Sequence, residues 1–284
     1  MADVQPGATR LPDLYTTDAT HGWSIGMRAV THALLAATVF PPGPILELGC
    51  GAGGQLAALA HTYPDHPRVG TDIHPLALAY ARRAAPTAWL YQGDMTALPF
   101  AAHTFAAILC LDALDQVGVQ PPVALCEIRR VLQPQGIVLA RVSAHPWLAG
   151  PHDAAFNTRH RYTHRELRQT FVQAGFRVRR ITYANASLGL LAVLPRLLQR
   201  WGLPIGDERN ATGGATARRL FSAILATEAR ALSRVNLPFG LSLYIEAQSV
   251  HEPAAQPVRD PMSVPKGVAP NTATTRLPYK KLVE

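Results

Sequence analysis

Residues 45–54 read Ile-Leu-Glu-Leu-Gly-Cys-Gly-Ala-Gly-Gly, an apolar strand that runs directly into a glycine-rich turn. Such a turn lets the backbone approach a nucleotide-like ligand at the amino end of the next helix, where free N–H groups attract polar ligand atoms. Glycine suits the turn because side chains would block the ligand and because some positions need a positive φ angle. Gly49, Gly51 and Gly54 also satisfy the G-x-G-x-x-G pattern of dinucleotide-binding folds, so the turn alone leaves the nucleotide open.

Two later strands each end at a carboxylate. The strand at 68–72 ends at Asp72, and the strand at 88–92 leads to Asp94. A carboxylate at the first position can accept hydrogen bonds from both ribose hydroxyls, in NAD and in S-adenosylmethionine alike. A carboxylate at the second position can accept from the adenine amine, which NAD-binding units do not usually need. The two acids together favour S-adenosylmethionine over NAD.

With these residues the sequence resembles the class I S-adenosylmethionine-dependent methyltransferases, and among them the bacterial methyltransferase type 11 group. The resemblance runs from Ile45 to about Val142 and continues more weakly to Ala247. It rests on the turn at 47–53, on Asp72, and on the segments 93–95, 97–100, 111–114 and 127–136.

The resemblance implies a set of cofactor-binding residues, which are Glu47, Gly49, Cys50, Gly51, Asp72, Ile73, Asp94, Met95, Leu111 and Arg28. At the methionine end, Gly49 and Gly51 would line the cofactor, and Glu47 would order the turn or reach the cofactor amine. The backbone near Leu111 would meet the methionine ammonium. Arg28, in a segment that some relatives fold over the cofactor, would pair with the methionine carboxylate, although a solvated helix arginine is the alternative.

At the nucleoside end, the resemblance implies that Asp72 holds the ribose while Ile73 packs on the adenine. Asp94 would accept from the adenine amine, and the Met95 N–H would face the ring. The sequence departs from the family where a Glu-His pair often follows the fourth strand, because Asp115 and Gln116 stand there instead. A role that needs this histidine is therefore not available.

The segment that follows the fifth strand is the predicted place for catalysis. Methyl transfer needs alignment and exclusion of water, and it needs a base only when the acceptor must lose a proton. His152 or His145 would take that proton, and Arg161 and Tyr162 would orient the acceptor or bind its anionic group. A surface position for each histidine is the alternative. No metal site is predicted, because the histidine spacing fits no common zinc pattern.

Strand and helix candidates alternate along most of the chain. The strand candidates are 44–49, 68–72, 88–92, 105–111, 136–143, 176–183 and 240–247, and the helix candidates between them are 53–62, 75–84, 121–132 and 164–174. This alternation predicts an α/β fold with a Rossmann-like, doubly wound, mostly parallel seven-stranded sheet and a helical insertion before the last strand. The predicted domains are an N-terminal arm and helix at 1–40, the methyltransferase domain at 41–250 and a disordered tail at 251–284.

The insertion at 186–237 mixes apolar residues with arginines. It is interpreted as a lid over the sheet, as a segment on a membrane surface, or as helices that simply pack on the sheet. The three cysteines form no paired motif, and neither a signal peptide nor a transmembrane stretch is visible. These features predict a cytoplasmic protein, and the insertion leaves a peripheral membrane contact open.

The formal net charge of +8 is unevenly divided. Residues 1–128 carry a net charge of −5, residues 129–250 carry +11, and residues 251–284 carry +2. The basic half suits an anionic partner such as phosphate, nucleic acid or a lipid surface, with a solvated arginine-rich face as the alternative. Nucleic acid is disfavoured, because the basic residues lack the interleaved aromatic residues of a base-stacking platform.

These observations predict methyl transfer from S-adenosylmethionine to a small-molecule acceptor or an anionic lipid- or glycan-linked acceptor, at an oxygen atom. A non-catalytic cofactor-binding or nucleic-acid-binding module is the alternative function.

Overall fold

The computed structural model describes residues 15, 16, 18, 21–187, 189 and 215–250, which contain seven strands. The strands are β1 (Ile45–Leu48), β2 (Arg68–Asp72), β3 (Trp89–Gln92), β4 (Phe105–Leu111), β5 (Leu132–Ser143), β6 (Phe176–Ala184) and β7 (Ser242–Ser249). The helices are α1 (Gly22–Ala36), α2 (Gly54–Thr62), α3 (Pro75–Ala84), α4 (Pro121–Val131), α5 (Pro151–Ala155), α6 (His164–Gln173) and α7 (Ala215–Leu232), with a 3₁₀ turn at Pro146–Leu148.

The seven strands form one sheet in the order β3-β2-β1-β4-β5-β7-β6. β7 runs antiparallel to both of its neighbours, and the other pairs are parallel. β4 is buried along almost its whole length, as expected for a central strand covered on both faces. This arrangement confirms the predicted fold class.

The strand order reverses between β1 and β4, which are neighbours in the sheet but far apart in the chain. In the parallel register Leu48 pairs with both Thr71 and Cys110, so the strands end side by side. The glycine turn after β1, Asp72 at the end of β2 and the loop after β4 therefore share one edge. Open α/β sheets bind their ligands at the carboxyl edge, at such a reversal.

Helices α1 and α7 pack together on one face of the sheet. Val30 and Leu34 of α1 and Leu225 of α7 are fully or almost fully buried in this contact. A Cβ atom on Gly26 would lie 2.5 Å from the Leu225 Cβ, so only glycine allows the two helices to approach this closely. The α1–α7 pair brings the N-terminal part of the chain back over the sheet edge.

A buried carboxylate joins α7 to the end of β6. Glu228 accepts hydrogen bonds from the backbone N–H groups of Asn185, Ala186 and Ser187 and from the Ser187 hydroxyl. Unpaired N–H groups at the start of a helical segment need such an acceptor when they are buried. The start of the predicted insertion is thereby fixed to α7, which lies in its later part.

Several predictions about domain organisation stay predictions. The arm before residue 15, the segment 190–214 and the tail 251–284 lie outside the described residues. Helix α7 lies within the predicted 186–237 helical insertion, and the role of this insertion as a lid stays a prediction.

Candidate functional site

The glycine turn leaves β1 in a conformation that favours glycine. Gly49 has a φ angle of 68° and Gly51 a φ angle of 51°, both in the left-handed region. The Cys50 N–H donates to the Thr71 carbonyl over 2.9 Å, which attaches the turn to β2. The turn therefore presents backbone rather than side chains at the reversal point of the sheet.

The Asp72 carboxylate holds the turn against the loop that follows β2. Its Oδ2 accepts from the Gly51 N–H over 2.9 Å, and its Oδ1 accepts from the His74 N–H over 2.9 Å. The carboxylate is 8% exposed. Since each carboxylate oxygen has two lone pairs, both oxygens can accept one more hydrogen bond from a diol. The structure thus places the glycine turn next to Asp72, the residue predicted to bind the ribose.

The residues predicted to contact the adenine, Ile73 and Asp94, follow β2 and β3 at the same edge of the sheet. Asp72 pairs with Gln92 in the register between β2 and β3, and the Gly93 N–H donates to the Asp72 carbonyl. Ile73 is 58% exposed, which is unusual for isoleucine and leaves its side chain free to pack on a flat apolar ring. Asp94 is exposed, and its Oδ1 accepts from the Thr96 N–H over 2.8 Å.

Polar atoms are buried without partners where β1 ends and α2 begins. Glu47 is 4% exposed, and its Oε2 accepts no hydrogen bond from any residue in the described part of the chain. The same holds for both amide atoms of the buried Gln55, in the first turn of α2. Burial raises the pKa of Glu47 well above its ordinary value, and the Asp18 carboxylate raises it further. Such groups are expected where a polar ligand binds.

The guanidinium group of Arg28, on α1, also lies at the start of α2, where it is paired with Asp18. Its Nη1 lies 3.0 Å from Asp18 Oδ2, and its Nη2 donates to the Asp18 carbonyl over 3.2 Å. A Cβ atom on Gly54 would lie 2.4 Å from Asp18 Oδ2 and 2.7 Å from Arg28 Nη1. The charge pair therefore lies directly on the first residue of α2. Sequence analysis predicted Arg28 here but missed Asp18, because the N-terminal arm has no periodicity.

A buried arginine fixes the loop after β4. Arg141 of β5 donates from Nε and Nη2 to the two carboxylate oxygens of Asp112 and from Nη1 to the Tyr244 hydroxyl. Its guanidinium carbon lies 5.2 Å from the centroid of the Trp23 ring. Asp112 has a φ angle of 52°, and this bidentate pair holds it there. The Leu111 backbone is thereby fixed at the sheet edge, where the resemblance places it.

His145 lies just beyond β5 in a stack of aromatic rings. Its ring centroid is 5.1 Å from that of Tyr183 and 4.9 Å from that of Phe239, in stacked geometry. Its backbone has a φ angle of 62°, which is uncommon for a residue with a side chain and often occurs at functional sites. Burial lowers the pKa of His145 below its ordinary value. Its Nε2 is buried and has no partner among the residues the structure describes.

Asp115 is a second titratable group near this edge. It is fully buried, and its Oδ2 accepts from the Ser143 N–H at the end of β5 over 2.8 Å. Burial and the neighbouring Asp112 raise the pKa of Asp115 to about 6. Sequence analysis treated this residue only as a departure from the family pattern.

Comparison with known proteins shows which family the segment around the glycine turn resembles. Residues 46–140 match the methyltransferase domain family, and this stretch contains β1 to β5 with the glycine turn, Asp72 and Asp94. Over these residues the chain is similar to the class I S-adenosylmethionine-dependent methyltransferases. This confirms the resemblance seen in the sequence.

Two relatives match parts of the methyltransferase domain. The fatty-acid O-methyltransferase of Mycolicibacterium smegmatis is 35% identical over 97 residues, which are 34% of this chain and 35% of that protein. The demethylmenaquinone methyltransferase of Beutenbergia cavernae is 37% identical over 128 residues, which are 44% of this chain and 52% of that protein. The chain thus covers about a third to a half of the relatives that it matches.

A solved structure extends the likeness to the whole fold. It is a chain from the complex between the Haloferax volcanii Trm112 methyltransferase activator and a methyltransferase. The likeness has a TM-score of 0.59 at 20% identity and covers 87% of this chain and 97% of that one. At this identity the likeness establishes the fold alone.

Arg161 and Tyr162, the two residues predicted to orient the acceptor, are both bonded within the protein. Arg161 is 6% exposed; its Nε and Nη2 donate to the Asp153 carboxylate, and its Nη1 donates to the Ala144 carbonyl over 3.1 Å. Tyr162 is buried, burial raises its pKa to about 12, and its N–H donates to the Ser143 carbonyl. These contacts fix the loop after β5, and a direct contact of Arg161 or Tyr162 with an acceptor stays a prediction.

The other predicted catalytic residue, His152, lies within α5, and its side chain is outside the part of the chain that the structure describes.

No helix among the described residues is long and apolar enough to cross a membrane.

Proposed function

We propose that this protein binds S-adenosylmethionine and transfers its methyl group to an oxygen atom of a small-molecule or lipid-linked acceptor. The observation that carries the proposal is the Asp72 carboxylate, which is bonded to the Gly51 N–H at the reversal point of a methyltransferase-type sheet. The unpartnered buried atoms of Glu47 and Gln55 in the described structure fit a ligand with a charged amino-acid end.

Each part of the site has a separate task in holding the cofactor. Asp72 accepts from the ribose hydroxyls, Asp94 accepts from the adenine amine, and Ile73 packs on the adenine ring. Arg28 donates to the carboxylate of the amino-acid end. S-adenosylmethionine, when bound, supplies a methyl group that is activated by a positive sulfur. The protein then has to align the acceptor and exclude water, which it does with residues on the rigid strand ends.

His145 is the proposed base for an acceptor hydroxyl. Stacking on Tyr183 and Phe239 fixes the ring. Its lowered pKa keeps it neutral at physiological pH, so Nε2 can take a proton. Transfer to oxygen is also supported by the fatty-acid O-methyltransferase relative.

Titration calorimetry and a transfer assay test the proposal. We expect the protein to bind S-adenosylmethionine but not NAD, and to move a radiolabelled methyl group onto fatty acids, phenols or membrane-lipid extracts. NAD binding without S-adenosylmethionine binding would refute the cofactor assignment. Cofactor binding with label found only on amines or nucleic acid would refute transfer to oxygen.

The outer face of α7 supports a lipid-linked acceptor. Arg219, Arg230 and the following Arg234 are exposed, and Leu220 between them is 59% exposed. The acid within this helix, Glu228, is buried and points to the end of β6. A basic face with exposed apolar residues attracts an anionic lipid surface.

Sedimentation with vesicles measures this attraction. We expect the protein to sediment with phosphatidylglycerol vesicles and not with neutral phosphatidylcholine vesicles. The Arg230→Gln/Arg234→Gln variant should bind roughly thirtyfold more weakly, since each arginine near such a surface contributes about 1 kcal/mol. An Arg82→Gln/Arg83→Gln variant, changed at an exposed arginine pair on α3, serves as the matched control. Equal binding of both variants would contradict a lipid contact of α7.

A further inference from the structure

Two described residues of the N-terminal arm lie across the glycine turn. A Cβ atom on Gly51 would be 3.9 Å from Cε1 of Tyr15, and the Tyr15 ring centroid is 5.7 Å from that of Tyr80 on α3. Asp18 lies against Gly54, at the other end of the same turn. The two arm residues therefore border the stretch in which the cofactor is proposed to bind.

The charged groups around Asp18, at the start of α2, are complementary to the ammonium and carboxylate groups of an amino acid. After burial, the Asp18 carboxylate is the group that raises the pKa of the buried Glu47 carboxyl most. Arg141, Asp72 and Arg28 are the other charged groups that act on Glu47. Two acids and a guanidinium group at the start of a helix match an ammonium and a carboxylate, respectively.

Glu47 gives a second observation that points to a ligand with a hydrogen-bond donor at this end. Its Oε2 is buried and accepts from no described residue, so the protein itself leaves this oxygen without a donor. An unpaired buried carboxyl oxygen is costly, and a ligand N–H group would remove that cost. An ammonium has three N–H donors and can therefore serve Glu47 and Asp18 together.

We propose that Asp18 is a cofactor-binding residue: with Glu47 it accepts hydrogen bonds from the ammonium of the methionine moiety, while Arg28 holds the carboxylate of that moiety. This inference rests on the proposed function. The contribution of Asp18 should then depend on the ligand having an ammonium group.

Calorimetry on the full chain with two ligands tests this dependence. S-adenosylhomocysteine has the amino-acid end, and 5′-methylthioadenosine lacks it. We expect Asp18→Asn to weaken binding of S-adenosylhomocysteine by about tenfold to a hundredfold, the usual effect of losing a hydrogen bond between charged groups. Binding of 5′-methylthioadenosine should be unchanged. Asp65→Asn, at an exposed acid in the loop after α2, is the control and should change neither affinity.

The outcomes separate this inference from the proposed function. Tighter binding of S-adenosylhomocysteine by Asp18→Asn would mean that Asp18 competes with the ligand carboxylate for Arg28, and it would overturn the inference. An equal loss for both ligands would place the effect in the arm rather than at the ammonium and would also overturn it. If the unchanged protein binds neither ligand, the proposed function itself fails.

Discussion

The Asp72→Ala variant should bind S-adenosylmethionine at least a hundredfold more weakly than the unchanged protein. The substitution removes the two acceptors proposed for the ribose hydroxyls, and each hydrogen bond to a charged group is worth about 1.5–3 kcal/mol. It also removes the acceptors of the Gly51 and His74 N–H groups, so the turn loses its attachment to the loop after β2. Titration calorimetry measures the affinity directly.

A matched variant separates the ribose contact from a general effect of charge. Asp94→Ala also removes one carboxylate at the same sheet edge, but Asp94 is exposed and is proposed to accept a single bond from the adenine amine. Its expected effect is about tenfold. A thermal unfolding curve for each variant verifies that the fold is intact. Unchanged affinity of a folded Asp72→Ala protein would show that the ribose is held elsewhere.

The His145→Asn variant should lower kcat with a hydroxyl acceptor by about a hundredfold to ten-thousandfold, the usual contribution of a positioned base. Asparagine is chosen because it tolerates the left-handed backbone at this position better than most residues do. Cofactor affinity should not change, because the aromatic stack of His145 is separate from the glycine turn. A loss of kcat together with an equal loss of affinity would contradict the assignment.

The pH profile of the rate gives a second measurement for His145. A base acts in its neutral form, so the rate should rise as the pH increases through the pKa of His145 and then stay level. Since burial lowers this pKa, the rise should occur below the ordinary pKa of histidine. The rise should disappear in His145→Asn. If a rise centred near pH 6 persists in the variant, Asp115 rather than His145 takes the proton.

The sequence was sufficient to predict the sheet and the placement of Asp72 and Asp94 at its carboxyl edge. The predicted strands at 68–72 and 105–111 coincide with β2 and β4, and the second of them is a continuous apolar run that has few other structures available. Asp72 and Asp94 could be predicted because Asp72 ends β2 and Asp94 lies two residues beyond β3, and the ends of parallel strands meet at one edge. Their position needed no knowledge of how distant segments pack.

The remaining contacts depend on packing between distant segments. Asp18 pairs with Arg28 of α1, and Arg141 pairs with Asp112 from a neighbouring strand. Neither pair follows a periodic pattern that a sequence displays. Arg161 shows the converse, because its predicted contact with an acceptor was based on position in the chain, whereas its guanidinium group is bonded to Asp153.

The carboxylate of Glu228 has a consequence for how such a protein can diversify. It holds the backbone at Ser187, so the chain between these two residues begins and ends at neighbouring points. The entropic cost of closing a flexible loop grows slowly with length, by about 0.6 kcal/mol for each doubling. An insertion between these anchors that leaves α7 and its buried Leu225 in place would therefore cost the sheet little stability. Such a change in length would leave the strand ends that form the proposed cofactor site as they are.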